Sequence, residues 1–201
     1  MARHARRRRR DGARTAVALI VSVTLVATLA IVGVKMWHKV KPAARTDAEG
    51  CHVVVDSETY WLDLEQSENA AIIVAESIRR GLSPRAASIA LATAMQESGL
   101  RNLDYGDRDS LGLFQQRPSM GWGTYDEVRH KKRAIDAFLG LGDHSEAPGL
   151  LDLAPDYHEW APGEAAQAVQ ISAHPERYAE QIPAAQTLWA RYAGDVAAYT
   201  D

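Results

Sequence analysis

The spacing of apolar residues predicts that most of this chain is helical. Residues 66–81 place apolar side chains at every third or fourth position, the pattern of an amphipathic helix, and they end on a glycine suited to a C-cap. Residues 83–99 form a second predicted helix, with Ser83 as its N-cap and Pro84 in its first turn. The interior of this helix is apolar on nearly every side, which is typical of a helix buried inside a domain.

Further helices are predicted in the C-terminal half. A capping box that begins at Thr124 opens a helix that runs through residue 142. Residues 163–172 and 175–194 form the last two helices, and Pro183 either kinks or divides the second of them. The loop that precedes these two helices has room for about one helical turn.

Two segments with β character interrupt the helical pattern. Residues 100–123 are rich in Gly, Asp and Pro, and we expect loops there around a short strand or hairpin, with LGLFQQ at residues 111–116 as the extended piece. Residues 51–64 contain a short β-branched run, which is either one strand or an irregular lead-in. The predicted fold class is therefore mainly α with a small β element in the middle, an α+β domain.

An uncharged stretch of 20 residues, Thr15 to Val34, precedes this domain. At about 1.5 Å per residue it is long enough to cross a hydrocarbon core of roughly 30 Å. A secretory signal peptide is the alternative, but its apolar region is usually about 7–15 residues long and ends at a small-residue cleavage site. No such site is evident before residues 35–41, so we expect one transmembrane helix that is not cleaved.

The arginine cluster near the N-terminus orients the predicted membrane span, because basic flanks stay on the cytoplasmic side. The predicted location is the cell membrane, with a single pass, a cytoplasmic N-terminus and an extracellular C-terminal domain. We divide the chain into a cytoplasmic basic tip at residues 1–14, a transmembrane anchor at 15–36, a linker and lead-in at 37–62, a folded domain at 63–195 and a tail at 196–201.

Charge also restricts the partners of the folded domain. Residues 1–50 hold 11 of the 23 Lys and Arg residues and 3 of the 26 Asp and Glu residues, so residues 51–201 carry a net charge of −11. A surface of that sign repels phosphate, and we expect no nucleic-acid partner.

Metal and disulfide chemistry have little support in the sequence. Cys51 is the only cysteine, so an intrachain disulfide is impossible. Asp104, Asp107 and Asp109 lie close together, but an EF-hand-like loop would need an oxygen donor where Leu111 stands. The seven histidines show no paired ligand spacing. We therefore expect no metal and no other cofactor.

Glu97 is the candidate catalytic residue. It lies in the last turn of the predicted buried helix, where the partial negative charge of the helix end and the apolar neighbours both disfavour its anion. Both effects raise the pKa of the carboxyl, and an acid that is protonated near neutral pH can protonate a glycosidic oxygen. A solvated glutamate at a helix end is the alternative that position alone allows.

The residues around Glu97 resemble the lysozyme-like superfamily. Glu97-Ser98, followed by Gly112-Leu113-Phe114-Gln115, is similar to the Glu-Ser and Gly-Leu-Met-Gln motifs of soluble lytic transglycosylases and goose-type lysozymes. The longer run QESGLRNLDYGDRDSLGLFQQRPSMGWGT, with AAQAVQIS and PERYAE downstream, resembles an actinobacterial membrane-anchored or secreted group of that superfamily. The resemblance covers about residues 66–192, and it implies that the folded domain at 63–195 is lysozyme-like.

This resemblance implies a cell-wall lytic enzyme that cleaves the β-1,4 bond between N-acetylmuramic acid and N-acetylglucosamine in peptidoglycan. In a lytic transglycosylase the single acid, here Glu97, protonates the leaving oxygen. The same group then acts as a base while the 6-hydroxyl of the sugar attacks the anomeric carbon, which gives a 1,6-anhydro product.

Two other functions remain open on the same fold. A hydrolytic muramidase would place a water molecule, often with a second acid, for which Asp107 and Asp109 are candidates; turn formation is their alternative role. A weakly active or inactive cell-wall binding protein is the third hypothesis, because a fold does not fix a function.

Several side chains that follow Glu97 are candidates for substrate binding. The serines either bind substrate or serve as helix cap and turn residue. Alternation along a strand would send Phe114 to the core and Gln115 to the cleft. Aromatic faces stack on sugar rings, although core packing is the commoner role of tryptophan. The candidates are Ser98, Ser110, Gln115, Gln116, Trp122 and Tyr125, with Trp160 as a further aromatic candidate.

The chain departs from the lytic transglycosylases at one motif. Many of them carry Ala-Tyr-Asn-Ala-Gly late in the domain, and its tyrosine faces the catalytic acid. The nearest stretch here, residues 165–169, contains no tyrosine. The sequence leaves open whether Tyr178 takes that place.

Overall fold

A computed structural model describes residues 50–55 and 58–197 of the chain. The predicted basic tip at residues 1–14 and the predicted anchor at 15–36 lie outside the described residues. None of the helices in the described part of the chain combines the length and hydrophobicity needed to cross a bilayer. The strands are β1 (Gly50–Val55) and β2 (Glu58–Asp63), and the α-helices are α1 (Leu64–Arg79), α2 (Pro84–Ser98), α3 (Tyr125–Arg129), α4 (Lys131–Leu139), α5 (Leu150–Leu153), α6 (Pro162–Gln170) and α7 (Glu176–Ala197).

The fold is mainly helical with one small antiparallel sheet, as the α+β prediction required. The sheet, however, lies at the start of the domain and not in its middle. β1 pairs with β2, so that Val53 faces Tyr60 across the ladder, and the buried side chains of Val53 and Leu62 join the hydrophobic core. β1 also packs against α7. The segment that we assigned to a linker and lead-in thus contains two strands, and the folded domain begins before residue 63.

Helix α2 forms the centre of the domain. Ser83 accepts a hydrogen bond from the backbone N–H of Ala86, Pro84 occupies the first turn, and Gly99 ends the helix with a φ of +61°. These boundaries confirm the sequence prediction. Most apolar side chains along α2 are fully buried, namely Ala86, Ala87, Ile89, Ala90, Leu91, Ala92 and Ala94. The most extensive helix pairing in the domain joins α2 to α7.

The predicted helix from Thr124 is divided at His130. The capping box is present, but α3 ends at Arg129 and His130 becomes the N-cap of α4, with a ψ of 104°. The carbonyl of Arg129 accepts a hydrogen bond of 2.9 Å from the Asn102 side chain instead of continuing the helical pattern. The break therefore joins the end of α3 to the loop that follows α2.

The segment LGLFQQ forms a tight turn and not the extended strand that we expected. Two isolated β-bridges hold it: the Leu111 N–H donates to the Gln116 carbonyl at 2.9 Å across the turn, and the Gly112 N–H donates to the Leu103 carbonyl at 2.7 Å. Gly112 and Gln115 both have positive φ, of 75° and 49°. A Cβ on Gly112 would lie 2.4 Å from the carbonyl oxygen of Val128, so the turn packs directly on the end of α3. The pattern missed this because the two positive φ values interrupt the alternation of side chains.

Helix α7 runs without a break through Pro183. Proline removes the hydrogen bond to the carbonyl four residues earlier, which here belongs to Ala179. Both Pro183 and Ala179 are exposed residues, away from the buried positions Tyr178, Ala184 and Ala185 of the same helix. The proline therefore neither divides α7 nor displaces the face that packs on the core.

Candidate functional site

The carboxyl of Glu97 lies in the last turn of α2 and is partly buried. Desolvation by the surrounding protein raises its pKa above the ordinary value of 4.5, because burial penalises the charged form. The direction agrees with the sequence prediction, which derived it from the helix end and the apolar neighbours.

The phenol of Tyr178 is the hydrogen-bond partner of Glu97. Tyr178 lies in the first turns of α7, is fully buried, and donates its hydroxyl proton to Oε1 of Glu97. This bond lowers the pKa of Glu97 and opposes part of the effect of burial. Within the described residues, the structure gives the second carboxyl oxygen, Oε2, no protein hydrogen-bond partner.

Burial and the contact with Glu97 raise the pKa of Tyr178 far above that of a free phenol. Tyr178 therefore keeps its proton at any physiological pH and acts as a donor. The nearby side chain of Ser172 lowers the pKa of Tyr178 and opposes part of this shift, and Ser172 follows Ile171, the C-cap residue of α6. The phenol beside Glu97 thus belongs to Tyr178 on α7, the residue whose placement the sequence left open.

Ser98 ties the end of α2 to the LGLFQQ turn. Its hydroxyl lies 2.7 Å from the carbonyl of Leu113 and 3.0 Å from that of Ala94, and it accepts a 3.2 Å hydrogen bond from the Arg101 N–H. The side chain is buried. These contacts are those of the capping role that the sequence allowed, and they hold the turn beside Glu97.

The two glutamines at the end of the turn face different parts of the domain. Nε2 of Gln115 lies 3.3 Å from the carbonyl oxygens of both Tyr105 and Gly112, so Gln115 joins the turn to the preceding loop. Gln116 is buried and donates to the carbonyl of Ala134 in α4, at 3.0 Å. Gln115 is partly exposed, whereas the amide of Gln116 is directed into the core.

The two aspartates considered as a second acid have other surroundings. The side chain of Asp107 is 89% exposed. Asp109 accepts hydrogen bonds from Arg117 at 2.7 Å and from the Ser119 N–H at 2.8 Å, and these bonds hold its pKa well below the usual range. Within the described residues, neither aspartate contributes to the pKa shift of Glu97. Their observed contacts are those of loop residues.

The remaining candidates lie in the core or at the surface. Ser110 is buried, and its backbone N–H donates to the carbonyl of Asp107. Trp122 belongs to the hydrophobic core, whereas Tyr125 is 54% exposed at the start of α3. Trp160 packs partly against the core and donates its indole N–H to Asp156.

Polar side chains near the end of α6 make contacts that the sequence motifs did not predict. Gln170 donates a 2.9 Å hydrogen bond to the carbonyl of Phe114 in the turn. Gln167 donates from its side-chain amide to the carbonyl of Ser172 and accepts from the Ser172 N–H. The signal was present, because Gln167 and Gln170 are three residues apart on one helix face. The structure therefore brings together the ends of α2 and α6, the first turns of α7 and the LGLFQQ turn.

Within the described residues, the structure contains no group of three or more His, Cys, Asp or Glu side chains that could hold a metal ion. What the geometry offers is one carboxyl with a raised pKa and one phenol donor, an arrangement able to deliver and retake a proton. Compared with models of known protein families and with curated proteins, the sequence gives no match.

Proposed function

We propose that this chain is a lysozyme-like, membrane-anchored cell-wall enzyme that cleaves the β-1,4 bond between N-acetylmuramic acid and N-acetylglucosamine in peptidoglycan. The observation that carries the proposal is the contact between Glu97 and Tyr178, because it supplies the tyrosine that the sequence motifs lacked. The motifs themselves, Glu97-Ser98 and Gly112 to Gln115, lie beside each other through the contact of Ser98 with Leu113.

The proposed chemistry uses Glu97 first as an acid and then as a base. Burial keeps its carboxyl protonated to a higher pH than usual, which favours protonation of the leaving glycosidic oxygen. The resulting carboxylate is then stabilised by the Tyr178 hydroxyl and removes the proton of the 6-hydroxyl as the anhydro ring closes. The proton is returned to Glu97, so the enzyme ends the cycle as it began.

A one-carboxyl mechanism is favoured over a two-carboxyl hydrolysis by the surroundings of the aspartates. Asp109 is held by Arg117 and Ser119, and Asp107 is directed to solvent. Both aspartates have the contacts of loop residues, and neither contributes to the pKa shift of Glu97. The alternative products, anhydro sugars or reducing ends, separate the two mechanisms directly.

The experiment is digestion of purified peptidoglycan by the full-length chain in detergent, followed by mass spectrometry of the soluble fragments. The expected products carry 1,6-anhydro ends. Glu97→Gln should reduce their release by at least about 100-fold, the low end for the loss of a general acid–base group. The matched control is Glu159→Gln, which changes an exposed glutamate in the loop before α6.

Each other outcome has a definite meaning. Fragments with reducing ends would make the protein a muramidase and disprove the transglycosylase step. Binding to peptidoglycan without release of fragments would support the scaffold hypothesis. Release by Glu97→Gln at a rate close to that of the wild type would disprove the role of Glu97.

A further inference from the structure

Ile171 has a backbone conformation that its side chain disfavours. It follows α6 as the C-cap residue, with φ of 51° and ψ of 46°, in the left-handed region. Glycine is the usual residue at such a position, because a Cβ crowds the following carbonyl there, and a β-branched side chain is the least suitable.

The side chain of Ile171 is also the most exposed of the large hydrophobic side chains in the described part of the chain, at 82%. The other described residues with positive φ that are not glycine differ from it. Leu100 is buried in the core, Gln115 makes hydrogen bonds, and Arg108 has an unbranched Cβ and a polar end. Ile171 combines an unfavourable conformation with an exposed apolar surface, and neither burial nor hydrogen bonding of its side chain offsets them.

The position of Ile171 relative to the site is set by its two neighbours. Gln170 donates to the carbonyl of Phe114 in the LGLFQQ turn, and the side chain of Ser172 lies close enough to Tyr178 to lower its pKa. Tyr178 in turn donates to Glu97. Ile171 is therefore exposed to solvent between two residues that contact the surroundings of Glu97: one contacts the LGLFQQ turn and the other contacts Tyr178.

The left-handed turn itself has a structural reason, but the isoleucine does not. The turn lets the Gln167 side chain bond both the N–H and the carbonyl of Ser172, at 3.3 and 2.9 Å, and so fixes Ser172 beside Tyr178. Glycine would make the same turn without crowding. Since strained residues that persist are concentrated where function requires them, the side chain needs a functional explanation.

We infer that Ile171 is a substrate-contact residue, which packs its exposed side chain against methyl-bearing substituents of the bound glycan. This inference rests on the proposed function. Peptidoglycan offers such methyl groups on the acetamido and lactyl substituents of its sugars and on the alanine of its stem peptide. Removing the side chain should weaken substrate binding while leaving the domain as stable as before, or more stable.

The test compares Ile171→Gly and Ile171→Val in the full-length chain in detergent. Ile171→Gly should raise KM for peptidoglycan about tenfold, with kcat changed much less, because an apolar contact made equally in ground and transition states affects binding alone. Its melting temperature should equal or exceed that of the wild type. Ile171→Val retains most of the apolar surface and should stay within about threefold of the wild-type KM. Leu64→Ala is the control, since Leu64 is a 64% exposed apolar residue at the start of α1.

Glycan strands with and without stem peptides identify the group that is contacted. If Ile171→Gly has a raised KM on both kinds of strand, the contact is with the sugar substituents. If its KM is raised only on strands with intact stem peptides, the contact is with the alanine methyl. A KM for Ile171→Gly within twofold of the wild type on both substrates would overturn the inference. So would a lower melting temperature for this variant, or an equal loss in Ile171→Val.

Binding to insoluble peptidoglycan, measured by co-sedimentation in the Glu97→Gln background, separates this inference from the proposed function. If the wild-type protein binds peptidoglycan but does not cleave it, the enzyme proposal is refuted, while weaker binding of Ile171→Gly in the Glu97→Gln background still supports the contact. A parent that neither cleaves nor binds refutes both.

Discussion

Tyr178 donates a hydrogen bond to Glu97, which lies 81 residues earlier in the chain. This contact lowers the pKa of the Glu97 carboxyl and raises the pKa of the Tyr178 phenol. Because burial raises the Glu97 pKa more than the tyrosine lowers it, the carboxyl still titrates above its ordinary range. Tyr178 thus lowers the pH at which the carboxyl of Glu97 ionises, against the larger effect of burial.

Tyr178→Phe should move the pH profile of cleavage. Without the hydroxyl, the pKa of Glu97 rises further, so the alkaline limb of kcat against pH moves to higher pH. The carboxylate also loses a charge-assisted hydrogen bond, and kcat should fall by about tenfold to a hundredfold.

The control for this prediction is Tyr157→Phe, which removes another buried phenol that is hydrogen-bonded, at 3.0 Å, to Ser83. This variant should lose some stability, and the alkaline limb of its kcat against pH should stay where it is in the wild type. If the alkaline limb of kcat against pH is the same in Tyr178→Phe as in the wild type, the contact with Glu97 does not govern the reaction.

Glu97→Gln should make stability less dependent on pH. A carboxyl whose folded pKa is raised binds more protons in the native state than in the unfolded state, between its ordinary pKa of 4.5 and the raised value. The free energy of unfolding of the wild type therefore falls as pH rises through this window, and the fall is complete above the raised pKa. The amide does not titrate, and its oxygen still accepts from Tyr178.

Thermal melts of both proteins from acid to neutral pH measure this difference. The melting temperature of Glu97→Gln should exceed that of the wild type at neutral pH, and the gap should narrow in acid. A gap that stays constant with pH would show that the carboxyl is not desolvated.

Ser98→Ala should destabilise the domain. The change leaves the buried carbonyl of Leu113 without its 2.7 Å hydrogen bond, which costs about 1–3 kcal/mol. In a domain of this size the cost corresponds to a fall in melting temperature of ~3–10 °C. Ser98→Thr, which retains the hydroxyl, tests whether the hydrogen bond or the packing volume matters. If Ser98→Ala melts like the wild type while substrate binding fails, the hydroxyl instead contacts the glycan.

Asp107→Asn and Asp109→Asn should differ in stability and not in catalysis. The hydrogen bonds of Asp109 to Arg117 and Ser119 hold its pKa below the ordinary 3.8, so they stabilise the fold above that value and are lost as pH falls through the lowered pKa. Asp109→Asn should therefore melt earlier at neutral pH, and its difference from the wild type should shrink in strong acid. Asp107→Asn should change little. A loss of activity in either variant as large as that of Glu97→Gln would establish a second acid.

The sequence predicted the central helix because its signals are local. The start of α2 is marked by Ser83 and Pro84, and its end is marked by Gly99. Each signal lies within a few residues of the boundary that it marks, and the apolar run between them requires burial. The place of Glu97 follows from that helix. The partner of Glu97 does not, because no local pattern relates residue 97 to a residue in α7.

The errors in the prediction also have local and long-range causes. The alternation in LGLFQQ is that of a strand, but Gly112 must turn to approach Val128, and that contact is invisible in the sequence. The helix from Thr124 stops at Arg129 because the Asn102 side chain takes its carbonyl. In each case a tertiary contact with the loop after α2 overrides the local preference.

Because Tyr178 lies on α7, the Glu97 site is incomplete until this helix has formed. Synthesis runs from the N-terminus, so Glu97 and the turn around Leu113 exist well before α7 has been made. A nascent or proteolytically shortened protein that ends before Glu176 has the acid but lacks the phenol, and it lacks the helix that packs most extensively on α2. Incomplete copies of the proposed enzyme would therefore be inactive on the wall, because the acid gains its partner only after α7 has been made.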